Sequence, residues 1–313
     1  MKIGACVWPF KWSPPYEETI TRLAKANFDA VELMAWEESV LGDYYTAEEI
    51  KNLKSIIAGH GLELNLFYLP YGEAASADAS ERQRYVEMAK RGIDIGVELG
   101  APIINSTAHL PFGLPYPRIN DRVSSQIFTV DVPSGLDWKG NWEQYTDVIR
   151  ECAEYAGQAG VMYTLEPHPF RYGANADGLL RILETVDSPH LGINFDPSHL
   201  FPMGEMLHVA IYRLGDRIRN CHFSDNDGET NRHFRPGKGK MDWKSVLQAL
   251  KDTGFSGVIS LELEDVPGVS RGPNSDPGPF AERHPREKAL PSFEEEYFLG
   301  RAYLQDIADE IGF

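Results

Sequence analysis

Four side chains of ligand type stand at wide and regular intervals in this chain: Glu166, Asp196, His222 and Glu262. Each sits near the end of a β-rich run, in YTLEP, GINFDP, NCHFSD and GVISLELE. The separations of 30, 26 and 40 residues each match one strand-plus-helix repeat, the last stretched by a loop. Neighbouring parallel strands lie about 4.8 Å apart, so four successive strand ends on one curved wall can converge on a single ion. Three carboxylates and one imidazole suit Mn²⁺, Mg²⁺ or Co²⁺ better than a thiol-rich zinc site. Crowded carboxylates raise one another's pKa unless a cation compensates them. Any one of the four reads equally well as a polar strand end satisfied by water, Lys or Arg; the four together read as a site.

Such a site has a defined chemistry. A carbonyl compound that lays two vicinal oxygens on such an ion has its carbonyl polarised, and the neighbouring C–H becomes acidic. One carboxylate removes that proton and the other returns it on the opposite face, which inverts the carbon. Return to the adjacent carbon instead moves the carbonyl along the chain.

Other residues stand close by. His199 reaches the same mouth as Asp196 only if the chain turns at Pro197; there it would orient a metal-bound carboxylate or touch substrate. His168 shares a strand face with Glu166 if the strand runs on, although Pro167 and Pro169 fit a rim position equally well. Glu32 ends the second strand, either beside the ligands or in a structural ion pair. Trp8, Phe10, Trp12, Phe67 and Tyr68 gather at the ends of strands one and three, where aromatic faces pack on the C–H face of a substrate or fill the core. His109 opens a long loop and is a candidate substrate contact, whereas Glu264 and Asp265 read as rim charges. Asp225, Arg232, His233 and Arg235 precede PGKG, which lacks the GxxxxGK[ST] frame and reads as a turn. Either arginine is placed to grip a substrate hydroxyl or phosphate, or to remain a solvated loop charge.

The elements that must position these residues are legible from periodicity. Eight strands are expected at 2–8, 30–36, 62–69, 102–107, 163–167, 192–197, 220–225 and 257–264. Several are continuous apolar runs, as strands covered on both faces are. Helical stretches alternate with them, one opened by a Thr46/Glu49 capping box with Gly61 as its stop. Others run at about 81–99, 142–159, 176–187, 203–215, 243–253 and 292–311. Strand then helix, eight times over, predicts an α/β fold: a single (β/α)₈ TIM barrel spanning residues 1–313 as one domain. Long Gly- and Pro-rich loops follow strands 4 and 8, at 108–140 and 266–291, and both lie on the catalytic rim.

Lys and Arg number 30 against 47 Asp and Glu, a net charge of −17 that disfavours nucleic-acid and membrane partners. The chain is 42% hydrophobic, enough for a full core. Cys6, Cys152 and Cys221 lack metal-ligand spacing, and an odd, sparse set fits the reducing cytoplasm. The apolar run at the N-terminus is too short for a signal peptide, and no stretch is long enough to span a membrane.

The runs TLEPHPF, FDPSHL, CHFSDNDGETNRHFRPGKGKMDW and GVISLELED resemble the xylose-isomerase-like sugar isomerase/epimerase superfamily, and the resemblance covers nearly the whole chain. It implies a (β/α)₈ barrel and a Mn²⁺ or similar ion held by Glu166, Asp196, His222 and Glu262, with Glu166 and Glu262 as the acid/base pair. It further implies that His199 contacts a substrate oxygen and that His233 points into the site. The substrate is a small sugar, or a 3-keto-glycoside if the chain is a lyase like the C-glycoside-cleaving relatives. Those relatives work with a small second subunit, which the long rim loops would contact; homo-oligomers are common among other members. An apurinic-site endonuclease on the same barrel needs more histidine ligands and a basic groove, and the charge here is opposite. A sugar-binding barrel without chemistry is the non-enzyme alternative.

Overall fold

The computed structural model describes residues 1–70, 72–114, 130–265 and 293–313. Eight strands line the middle of the molecule: β1 (Lys2–Cys6), β2 (Ala30–Met34), β3 (Glu63–Tyr68), β4 (Ile103–Thr107), β5 (Met162–Glu166), β6 (Leu191–Phe195), β7 (Ile218–Phe223) and β8 (Val258–Leu261). Each pairs in parallel with the next, and β1 also pairs with β8, so the sheet closes into a barrel. Every residue of β2, β4, β6 and β8 is buried, which is why these strands read as unbroken rather than alternating runs.

The surrounding helices are α1 (Glu17–Lys25), α2 (Glu38–Asp43), α3 (Ala47–Gly59), α4 (Ala79–Leu99), α5 (Trp138–Gln158), α6 (Ala176–Val186), α7 (Pro197–Leu200), α8 (Leu207–Leu214), α9 (Trp243–Asp252) and α10 (Phe293–Ile311). Thr46 caps α3 by accepting from the backbone N–H of Glu49 at 3.2 Å, and Gly61 follows with φ +71°. The two short helices α2 and α7 carry too few residues to show a period, and α7 matters most because it begins directly after Asp196. The stretch expected as one helix at 203–215 divides into a 3₁₀ turn at Phe201–Met203 and α8, with Gly204 between them at φ +81°. Helix α4 lies close against the barrel, where a Cβ on Gly96 would stand 2.2 Å from Ile104 Cδ1.

Two irregularities in strand register bear directly on the mouth of the barrel. Between β2 and β3, Val31 pairs with Leu64 and Glu32 with Leu66, leaving Asn65 as an extra residue. Between β6 and β7, Ile193 pairs with Ile218 and Asn194 with Asn220, leaving Arg219 as the extra one. A bulge breaks the period of two and re-aims the side chains beside it. Here Asn65 and Asn220 are both buried, while Arg219 is turned out to solvent.

The long rim connections are only partly seen. The segment 266–291 lies outside the described residues, as do 115–129 of the first connection. Among the described residues no helix is long and apolar enough to cross a membrane.

Candidate metal centre

Glu166 is the last residue of β5, Asp196 follows β6, His222 lies in β7 and Glu262 follows β8. All four are buried, and each offers a ligand atom within 4.8 Å of those of the other three. His222 Nδ1 is 3.0 Å from Glu166 Oε1 and 3.4 Å from Glu262 Oε2. Asp196 Oδ2 and Glu262 Oε2 are buried oxygens with no hydrogen-bond partner among the described residues. Buried, unanswered carboxylate oxygens are costly. Two of them within one cluster of hard oxygen donors and a single imidazole fit a divalent cation.

Each candidate ligand is held from behind. The indole N–H of Trp8 donates to Glu262 Oε1 at 2.6 Å. Asn105 Nδ2 donates to Glu166 Oε2 at 3.0 Å and is itself fixed by the Thr164 hydroxyl, 2.8 Å from its Oδ1. Asp196 is the N-cap of α7, its Oδ1 accepting from the backbone N–H of Ser198 at 2.7 Å and from the Ser198 hydroxyl at 2.6 Å. His222 Nε2 lies 2.7 Å from Glu32 Oε2. The other oxygen of Glu32 accepts from Ser260 Oγ at 2.5 Å, Asn220 Nδ2 at 3.0 Å and Asn65 Nδ2 at 3.1 Å.

The electrostatics record the crowding. Burial, reinforced by Glu166 and Glu262, drives the Asp196 carboxyl well above the usual range. Burial also raises Glu166, with Glu262 adding to the effect against the pull of His222. Burial opposes charge on His222, yet the acidic groups around it, Cys6, Glu32, Glu166 and Glu262, outweigh that and lift the imidazole well up. Without a cation the protein must keep protons in this cluster.

Three further histidines line up beside it. The chain does turn at Pro197, and α7 brings His199 Nε2 to 3.4 Å from Asp196 Oδ2 and 3.9 Å from Glu166 Oε1. His168 stacks on His199 with ring centroids 3.8 Å apart, and His233 meets it edge-on at 4.9 Å. His233 is buried; its Nδ1 lies 2.9 Å from Ser224 Oγ, and its Nε2 has no partner among the described residues. Asp265, expected as a rim charge, latches this histidine in place, accepting from its backbone N–H at 2.9 Å and donating back at 3.2 Å. Arg232 lies 3.9 Å from Asp265, with its side chain largely covered.

Other expected contacts are placed elsewhere. Arg235 Nε lies 3.3 Å from Glu296 of α10, so this arginine serves the helix packed behind the loop, not the ligand cluster. The PGKG segment is a turn, as expected: Asp225 accepts from the backbone N–H of Gly237 and from Trp243 Nε1, both at 2.9 Å. His109 is buried edge-on against Tyr85 at 5.0 Å and near Tyr145, and burial then Arg171 push its pKa down to about 3. Trp12 packs edge-on against Trp36. Phe10 packs on Phe293 and Tyr297 of α10, and Phe67 on Tyr45, so neither offers a face to a sugar. Trp8 and Tyr68 contact each other and the ring of His222, and Trp8 is fully buried. The supporting roles of Asn65, Asn105, Ser198 and Asn220 were not read from the sequence. A polar residue inside an apolar strand is the signal that marks Asn105 and Asn220.

Residues 20–286 match the family model described as the xylose isomerase-like TIM barrel. The chain belongs to that family. Within it, the chain is 26% identical over 265 residues to the D-psicose 3-epimerase of Ruminiclostridium cellulolyticum, covering 82% of this chain and 80% of that protein. It is 25% identical over 260 residues to the fructoselysine 3-epimerase of Shigella flexneri, covering 80% and 85%. Among solved structures, the 3-keto-D-glucoside 4-epimerase of E. coli superposes with a TM-score of 0.70 at 18% identity, over 98% of this chain and 99% of that one. That likeness speaks to the family's barrel alone.

Proposed function

We propose that this chain inverts the carbon next to the carbonyl of a ketose, as a divalent-metal-dependent 3-epimerase with Glu166 and Glu262 as the proton-transferring pair. At the coarser level it is a metal-assisted sugar isomerase or epimerase. The observation that carries this reading is the buried cluster of Glu166, Asp196, His222 and Glu262, with two of its carboxylate oxygens left without a hydrogen bond among the described residues. Glu166, Asp196, His222 and Glu262 would hold the ion; Mn²⁺ is the first choice, with Mg²⁺ and Co²⁺ as alternatives. When bound, the ion supplies the positive charge that polarises the sugar carbonyl.

The protein groups do the rest. Two carboxylates in one cluster can serve the two faces of a planar carbon, one taking the proton and the other giving one back. Asn105 and Trp8 each occupy one oxygen of Glu166 and Glu262, which leaves the second oxygen of each directed at the cluster. His199, His233 and His168 form a wall of imidazoles suited to sugar hydroxyls, and Arg232 lies 3.9 Å from Asp265, which holds the His233 backbone. Free, buried Cys6, Cys152 and Cys221 support a cytoplasmic setting.

Incubating the protein and Mn²⁺ with a panel of ketoses in D₂O tests the reading by NMR. Deuterium should enter at C3 together with the C3 epimer. Absence of exchange in every ketose would overturn it. Release of the aglycone from a 3-oxo-glycoside would replace epimerisation with elimination by the same pair.

A further inference from the structure

We propose that Glu32 is a positioning residue that sorts the two nitrogens of His222, holding the proton on Nε2 and leaving Nδ1 as the atom that faces the divalent cation; this rests on the metal-dependent reading above. Glu32 comes from the opposite wall of the barrel, 190 residues from its partner, and both side chains are completely buried. Its Oε2 is 2.7 Å from Nε2, while Nδ1 points among Glu166 and Glu262. An imidazole that donates from one nitrogen to a carboxylate presents the other as a lone pair, and the ring cannot rotate while that bond holds.

Glu32 has no freedom to turn its own ends. Oε1 is saturated by the Ser260 hydroxyl and by the amide groups of Asn65 and Asn220. The two amides brace each other, with Asn65 Nδ2 2.8 Å from Asn220 Oδ1, and Asn220 is tied on to Asn194 at 3.0 Å. These two asparagines stand at the two register shifts of the barrel. The bulges therefore deliver the amides that hold Glu32, and Glu32 in turn aims His222.

This arrangement makes a specific experiment possible. In Glu32→Gln the carboxamide oxygen is required at the end facing the Asn65 and Asn220 amides, because an NH₂ there would meet two donors. The new NH₂ then faces His222 Nε2 and demands its lone pair, which sends the proton to Nδ1, the ligand position. Mn²⁺ affinity, read from the EPR signal of the free ion, should fall about 10- to 100-fold. Far-UV circular dichroism and the thermal midpoint of the metal-free proteins report whether the fold is kept. In the unmutated protein loaded with Zn²⁺, ¹⁵N NMR of labelled histidine should show one imidazole with a protonated Nε2 and a metal-bound Nδ1. A wild-type chain that binds Mn²⁺ and a folded Glu32→Gln chain that binds it equally well overturn the assignment of Glu32 alone. So does a His222 ligated through Nε2, whatever the variant does. A wild-type chain that takes up neither ion overturns the metal reading and this assignment together.

Discussion

Trp8 Nε1 and Glu262 Oε1 are 2.6 Å apart, and this hydrogen bond ties the end of β1 to the end of β8 beside the seam where the barrel closes. It spans 254 residues of chain and leaves Glu262 Oε2 as the oxygen offered to the cluster. Replacing Trp8 by Phe keeps a ring against Tyr68 but removes the donor. A hydrogen bond to a charged group contributes about 1.5–3 kcal/mol. Turnover of Trp8→Phe should therefore fall by about ten- to a hundredfold, measured as kcat at saturating Mn²⁺.

Glu166→Gln and Glu262→Gln each keep the shape of the side chain and abolish its basicity. General acid–base catalysis contributes about 10²- to 10⁴-fold, and each variant should lose at least that much turnover while its circular dichroism stays that of the parent. Single-turnover exchange in D₂O checks this directly, and a variant that exchanges at the parental rate would remove its residue from the acid/base pair.

Metal removal should act on stability with a definite dependence on pH. Burial, with the neighbouring carboxylates, raises Asp196 and Glu166 in the metal-free fold, so that fold retains protons which the unfolded chain has already released. The metal-free protein is thus favoured below the ordinary carboxylate range, about pH 4, and loses stability as pH rises through the raised values. A cation keeps the carboxylates ionised and cancels that loss. At a fixed Mn²⁺ concentration the rise in thermal midpoint should widen as pH climbs above the ordinary carboxylate range, and the stabilisation is about 2.7 kcal/mol at whichever pH the ion stands at a hundredfold excess over Kd. A rise that shrinks as pH climbs would contradict the assignment.

His109 gives the opposite pH behaviour. Burial first, and Arg171 second, hold it neutral down to about pH 3, whereas an unfolded histidine titrates near about 6.5. Its contribution is complete above the unfolded value and drains away as pH falls towards the folded one, by up to about 1.4 kcal/mol per pH unit. His109→Phe, placed against Tyr85 and Tyr145, should leave turnover intact and recover about 2.7 kcal/mol near pH 4.5 by urea unfolding. A loss of substrate affinity instead would restore His109 as a substrate contact.

The four clustered side chains were legible because two signals coincide at each of them: a side chain that binds cations, and a place at the end of an apolar run. What holds them was not legible, for reasons particular to each residue. Asn65 and Asn220 sit beside register shifts, where alternation fails and a sequence read with period two assigns faces wrongly. Trp8 looks like core, and it is core; only the carboxylate at its indole nitrogen makes it more than that. Arg235 lies two residues from His233 and by sequence shares its duty, but its partner Glu296 is 61 residues further on, and the period that marks α10 does not say which loop the helix packs behind. His199 lies beside Asp196 because the chain turns into α7 at Pro197, the condition on which its placement in the sequence depended.

Glu32, Asn65, Asn194, Asn220 and Ser260 form a belt of polar groups across the interior, drawn from β2, β3, β6, β7 and β8. Each answers the polar atoms of another, so a drift of any one to an apolar residue strands its neighbours in a dry interior. Transplanting the catalytic mouth onto a different barrel would fail if only the visible donors were moved, because their aim comes from the storey below. The smallest inheritable unit of this enzyme is that storey together with its two kinked strands.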